Sequence, residues 1–166
     1  MLTILAIIFP PLAGITASLI KKEYSERIKY YSAVSVISFL FAILAAFFSK
    51  PVTILEFSKN VTLYFAFDNF GRFYLSVLIL LYTVVAFYAF EYMKKEENQE
   101  IFFSFYYISL GVLIGASAAG NPVTFYLCFE FATLTTVPLV LHEKTKEAVT
   151  AGLKYLFYSI GGALMG

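Results

Sequence analysis

The sequence predicts an all-α fold, a polytopic bundle of transmembrane helices, and three observations carry that prediction. Hydrophobic residues make up 60% of the chain and charged residues 14%, a balance too apolar for an ordinary soluble domain of 166 residues. The apolar residues fall in runs of about 20, the length that crosses a bilayer as a helix. Lysines and arginines gather mainly between the runs, where loops retain them. A formal net charge of +1, with no basic stripe, excludes nucleic acid as a partner, because nothing is present to displace counterions from phosphate.

Five complete spans and the start of a sixth follow from that length criterion: Leu2–Ile20, Tyr30–Phe48, Phe70–Tyr92, Ile101–Ala119, Pro122–Leu141, and Ala148 onward. The first contains Pro10 and Pro11, each of which removes a backbone donor and should bend the helix. No cation precedes this span, whereas Lys21 and Lys22 follow it. That is the reverse of a secretory signal, so the segment reads as a retained helix.

Between the second and third spans, from Lys50 to Asn69, two alternating runs of β-branched and aromatic residues flank Ser58-Lys59-Asn60. They predict a short outer hairpin of strands over Val52–Phe57 and Val61–Phe67. A hydrophobic loop resting on the membrane interface is the alternative. Asn60-Val61-Thr62 matches a glycosylation sequon, a pattern too short to carry weight alone.

The fourth span carries Gly111 and Gly115 among alanines and serine, and Gly120 follows directly after it. Such a face lets a neighbouring helix approach closely in lipid. The 13 tyrosines and 19 phenylalanines read mainly as lipid-facing bulk and interface anchors. Cys128, the single cysteine, reads as packing, since one thiol builds neither a disulfide framework nor a cysteine metal site. Placing the N-terminus outside puts Lys21, Lys22, Arg27, Lys29, Lys94, Lys95, Lys144 and Lys146 on the inner side. Lys50, Lys59 and Arg72 are left outside, so the asymmetry favours that orientation.

Two ionisable residues lie inside spans. Glu130 is near the middle of the fifth, where a carboxylate costs about 2.5–3.5 kcal/mol on insertion scales and normally faces protein or water. Either it is a proton-relay group, or it is a carboxylic acid hydrogen-bonded to Thr133 or to a neighbouring helix. Lys154, early in the sixth span, is either a relay partner or a lysine that snorkels to the interface. By helical rise Glu130 is ~18 Å from the inner end of its helix and Lys154 ~8 Å from the inner end of its own. Their side chains lean in opposite directions, so a link through water or a third residue is favoured over a direct salt bridge. His142, at the inner surface, has the side-chain type that could feed protons inward.

Asp68 ahead of the third span, the Tyr92-Met93 exit, Gly120-Asn121-Pro122, Phe129-Glu130 with Pro138 eight residues on, and Ala151-Gly152-Leu153-Lys154-Tyr155 form an ordered set. In that order the chain resembles the antiporter-like membrane subunits shared by respiratory complex I, multisubunit sodium/proton antiporters and membrane-bound hydrogenases. Its first two spans match that family only in hydropathy, and Phe129 stands where the family often has tryptophan.

The resemblance implies about fourteen helices around two inverted repeats. Residues 1–166 would then be one transmembrane domain, the N-terminal segment of a larger fold. It also implies that Glu130 matches a fifth-helix glutamate which pairs with a lysine on the seventh helix, while Lys154 matches a lysine at the start of the sixth. The expected function is a membrane subunit of an ion-translocating complex, in a prokaryotic plasma membrane. Its partners would be other membrane subunits, lipid and protons, with sodium ions left open as a second cargo. A non-conducting assembly subunit is the alternative. No nucleotide loop, histidine cluster or cysteine spacing points to a cofactor, a metal or catalysis of the chain's own.

Overall fold

The computed structural model describes residues 1–18, 24–58, 61–96, 98–141 and 145–165. Six helices dominate: α1 (Leu2–Ser18), α2 (Tyr24–Phe48), α3 (Asn69–Tyr92), α4 (Gln99–Ser117), α5 (Pro122–Val140) and α6 (Lys146–Met165). A short 3₁₀ turn, Met93–Lys95, follows α3. Among the described residues four helices, α2 to α5, are long and apolar enough to cross a membrane, and the chain is an integral membrane protein.

The other two helices explain why this count falls below the expected five complete spans. Over its described residues α1 is apolar but only 17 residues long, about 26 Å at the helical rise. It runs through Pro10 and Pro11 as one helix, with Pro10 fully buried. Helix α6 reaches 20 residues, but Lys146, Glu147 and Lys154 lower its apolarity. Helix α2 also begins earlier than Tyr30, at Tyr24, because its polar first turns continue the helix and are tied to neighbouring elements. The Tyr24 hydroxyl donates to the Phe90 carbonyl, and Arg27 pairs with Glu100.

Helix α4 is the centre of the bundle, packing against α1, α3 and α5. Its small residues permit this. A Cβ on Gly111 would fall 2.5 Å from the Ile7 carbonyl oxygen and onto the Pro11 ring, so α1 and α4 touch backbone to backbone. Gly71 of α3 lies against the Ser117 carbonyl of α4 in the same way. Gly115 accommodates Cys128 of α5, 3.3 Å from the Cβ that glycine lacks, which agrees with the packing reading of Cys128.

The aromatic residues divide into two groups, and the expectation of lipid-facing bulk covers one of them. Phe70, Phe73, Phe87 and Tyr88 are exposed, whereas Tyr31, Phe103, Tyr106 and Tyr107 are buried in the core. Tyr31 and Phe103 stack with ring centroids 4.2 Å apart. Buried phenols need acceptors for their protons, and two of them have one at close range. Tyr107 donates to the Tyr31 carbonyl at 2.6 Å and Tyr106 to the Tyr82 carbonyl at 2.6 Å.

Val52–Ser58 (β1) and Val61–Phe65 (β2) pair antiparallel, with Val52 opposite Phe65 and Glu56 opposite Thr62. Lys59 and Asn60, and with them the sequon's asparagine, lie outside the described residues. Beside β2 runs the α4–α5 connection. Ala66 N–H donates to the Ala118 carbonyl at 2.7 Å and Gly120 N–H to the Tyr64 carbonyl at 2.9 Å. Asn121 then caps α5, accepting from Thr124 N–H at 2.7 Å, while its amide nitrogen donates to the Thr62 carbonyl at 2.9 Å. Thus the strand pair is stitched to the start of the helix that carries Glu130.

Candidate functional site

Helix α5 starts at an unambiguous place because Asn121 caps it and Pro122 occupies its first turn, where a missing N–H costs nothing. Glu130 falls near the middle of the 19-residue helix. It is half-buried. Its Oε1 is buried and has no hydrogen-bond partner among the described residues. An orphaned buried carboxylate oxygen is uncommon, and it distinguishes Glu130 from the ion-paired glutamates Glu26 and Glu100.

Thr133 does not serve as its partner. The Thr133 hydroxyl donates to the Phe129 carbonyl at 3.2 Å and accepts from Ser159 of α6 at 3.4 Å. The helix's own carbonyl four residues back is nearer than any side chain for a threonine in this position.

Lys154 is exposed on α6. Together with Lys146, Glu147, Thr150 and Ala151 it lines an open groove of about 340 Å³ along the first turns of that helix. Among the described residues it forms no ion pair, and neither does Glu130. His142 lies outside the described residues.

The register between α5 and α6 explains the separation of acid and base. Thr133 meets Ser159, Thr136 meets the Tyr155 hydroxyl at 3.2 Å, and Leu141 packs on Gly152. Each pair of numbers sums to nearly the same value, as antiparallel helices require. On that register Lys154 is level with Pro138, about eight residues or ~12 Å along the axis from Glu130. The side chains lean apart from there. Glu130 is level instead with Gly161 and Gly162, where a Cβ would meet nothing within 4 Å. Space is therefore open on α6 at the height of the acid.

Hydroxyls occupy the middle of the interval between the two levels, and of these sequence reasoning named only Thr133. A cleft of about 580 Å³ opens between α3, α4, α5 and α6, lined by Thr133, Thr136, Tyr155, Tyr158, Ser159 and Tyr74 together with apolar residues. The proton directions are fixed by the available acceptors. Thr136 donates to the Thr133 carbonyl at 2.9 Å, which leaves its oxygen to accept from Tyr155. The sequence signal was present in the spacing: Thr133 and Thr136 are three apart on α5, Tyr155 and Ser159 four apart on α6, each pair on one helix face.

No family model matches the chain. Among curated proteins it is similar to a Na(+)/H(+) antiporter subunit of Alkalihalophilus pseudofirmus, with 22% identity over an alignment of 170 residues. The match covers 99% of this chain and 34% of that protein, so the chain spans about a third of the relative's length. An alignment that spans nearly the whole chain bears out the resemblance of this chain to the antiporter-like membrane subunits.

Proposed function

We propose that the chain is part of a membrane subunit of a multisubunit cation/proton antiporter, seated in a bacterial plasma membrane, with Glu130 as its intramembrane proton-exchanging group. The observation that carries this reading is the buried, unpartnered Oε1 near the middle of α5. A group that takes up and releases a proton in each cycle needs a neighbour that comes and goes, not a fixed hydrogen bond. The open space over Gly161 and Gly162 leaves room for such a neighbour, a cationic side chain from a helix beyond these six. A cation within 4–6 Å shifts a carboxyl pKa down by about 1–3 units, enough to decide whether it holds its proton.

In this reading the protein's partners are further membrane subunits, which also supply the coupling energy, and the cargo is protons exchanged for a cation. Lys154 joins Glu130 to the inner surface through water. Helices α1 and α6 complete the crossing as the first and sixth spans, and the strand pair lies on the outer face with the N-terminus. The 166 residues form one domain at the front of a longer antiporter-like fold. Assignment to a respiratory or hydrogenase-type assembly is the narrower form of the same proposal, decided by which subunits copurify.

Replacing Glu130 tests the reading directly. In the assembled complex, Glu130→Gln should cut proton-coupled transport in vesicles by about a hundredfold, the scale on which acid–base groups contribute, with assembly intact. Unchanged transport would instead support a sealing and assembly role. That second reading is favoured by the backbone contact at Gly111, and it predicts that Gly111→Leu abolishes assembly.

A further inference from the structure

Helices α2 and α3 are antiparallel neighbours pinned together near both ends. The Tyr24 hydroxyl donates to the Phe90 carbonyl at one end, and Arg72 Nε donates to the Ala46 carbonyl at 2.9 Å at the other. Between the pins a groove of about 170 Å³ opens. Its floor is small and buried, at Ser35 and Ala86, and its rims are exposed and apolar, at Val36 and Phe87. The groove is far narrower than a helix, which measures ~10–12 Å across with its side chains, and smaller than the ~300–1,000 Å³ of sites for drug-sized molecules. Its shape fits a single acyl chain lying along the two helices.

Polar groups gather at one end of it. Ser32 and Phe90 line the groove, and one turn beyond each, on α2 and α3, stand Lys29 and Lys94. Side chains lean toward the N-terminus of their helix. Because α2 begins at this end and α3 finishes here, Lys29 leans away from the groove and Lys94 leans back over it, which brings the two ammonium groups toward one height. Lys94 is exposed and forms no ion pair among the described residues, not even with Glu91 three residues before it. Lys29 is 75% exposed and has Glu26 at 2.8 Å.

Ser32 adds a donor. A serine inside a helix can return its proton to the carbonyl one turn back, as Ser38 does to Val34 at 2.6 Å. The half-buried Ser32 makes no hydrogen bond among the described residues, and a hydroxyl at membrane depth needs an acceptor.

We propose that the groove between α2 and α3 binds one anionic phospholipid, with an acyl chain along Ala86, Phe87 and Phe90, ester oxygens at Ser32 and the phosphate between Lys29 and Lys94. Basic pockets between helices at the cytoplasmic surface suit such headgroups. A neighbouring subunit's helix would cover Val36 and Phe87 but leave the floor unfilled and Ser32 without an acceptor. The site is independent of any role of Glu130.

Photoaffinity labelling of the assembled complex in vesicles tests the site. Two probes carry the same diazirine-bearing acyl chain, one on phosphatidylglycerol and one on phosphatidylcholine. The phosphatidylglycerol probe should label residues 32–39 and 83–90 about tenfold more than the phosphatidylcholine probe, the scale set by two lysines at a headgroup. Lys29→Gln combined with Lys94→Gln should remove that preference, whereas Lys94→Arg should keep it, as should Lys95→Gln, whose side chain points to another face of the turn. Equal labelling by both probes would mean ordinary surrounding lipid, and labelling by neither would mean that another subunit covers the groove; either result overturns the proposal. A loss in Lys95→Gln as large as in the double variant would mean a diffuse attraction to the basic end, and overturns it as well. Ser32→Leu blocks the mouth without touching a charge, so it should cut phosphatidylglycerol labelling of residues 83–90 several-fold even where the double variant fails to assemble. Unchanged labelling in Ser32→Leu would place the lipid elsewhere and overturn the site.

Discussion

Arg27 and Glu100 form the less exposed of the two ion pairs among the described residues. They come from the first turns of α2 and α4 and form an ion pair, with 17% and 36% of the two side chains exposed. That partial exposure puts the pair between a surface bridge, worth under about 1 kcal/mol, and a buried charged hydrogen bond, worth about 1.5–3 kcal/mol. Glu100 also sits in the first turn of α4, where the helix dipole favours an anion. Arg27→Ala should therefore cost about 1–2 kcal/mol in denaturation from detergent micelles. A double-mutant cycle with Glu100→Ala should reveal coupling well above the ~0.3–0.5 kcal/mol expected of independent sites. Simple additivity would mean that the two side chains act separately. Glu130 was legible in the sequence for a related reason: a lone carboxylate in an apolar run is costly wherever the helix packs. Apart from Thr133 the hydroxyls near it were not, because a threonine or serine in a membrane helix can satisfy itself on its own backbone. Only the register with α6 reveals which ones face a neighbour.

Helix α4 illustrates what a stripe of small residues does and what its glycines cost to change. Gly111 and Gly115 on α4, with Gly161 on α6, form a graded series, because an added Cβ would lie 2.5 Å from a backbone oxygen, 3.3 Å from a thiol and near nothing, respectively. Overpacking against backbone costs about 1–3 kcal/mol, whereas an unopposed Gly→Ala change in a helix stabilises by up to about 1 kcal/mol. Gly111→Ala should thus destabilise, Gly115→Ala change little, and Gly161→Ala stabilise, measured as shifts in the thermal midpoint of the purified protein. A flat series would contradict the backbone contact of α1 with α4. The strand pair offers a second test at this scale. Asn121 both caps α5 and binds the Thr62 carbonyl, so Asn121→Ala should cost about 1–2 kcal/mol. Amide exchange at Tyr64, whose N–H donates to Thr124 at 2.9 Å, and at Gly120 should accelerate together; exchange rising at only one would show that the two attachments are separate. Hydropathy located α3, α4 and α5 to within about two residues, since each is bounded by a polar or proline-containing turn. It placed the start of α2 six residues late, because Glu26, Arg27 and Lys29 lie outside the apolar window yet still wind as helix around fixed partners.

Across the whole molecule, the contacts divide the connecting segments between two ends of the bundle. The β1–β2 pair and the α4–α5 turn share hydrogen bonds at one end, while the start of α2 is tied to the start of α4 by Arg27 and Glu100 and to the end of α3 by Tyr24 and Phe90. Two crossings, α3 and α4, separate the β strands from the α4–α5 turn, so an alternating path returns the chain to the same side, as the hydrogen bonds require. Which end faces outward is a matter of charge, because loops rich in lysine and arginine are retained in the cytoplasm. Lys94 and Lys95 follow α3 as a pair, whereas Lys50 precedes β1 as a single cation. The expected result is that, with Cys128 replaced by serine, Lys50→Cys reacts with an impermeant thiol reagent in intact cells. Lys94→Cys should react only after the membrane is opened. Both positions are exposed, so a failure to label is informative. The reverse pattern would invert the molecule and place Glu130's approach to Lys154 on the outer side. Labelling of both positions from one side would mean that α3 does not cross, and the alternating path and the antiporter reading would fall together.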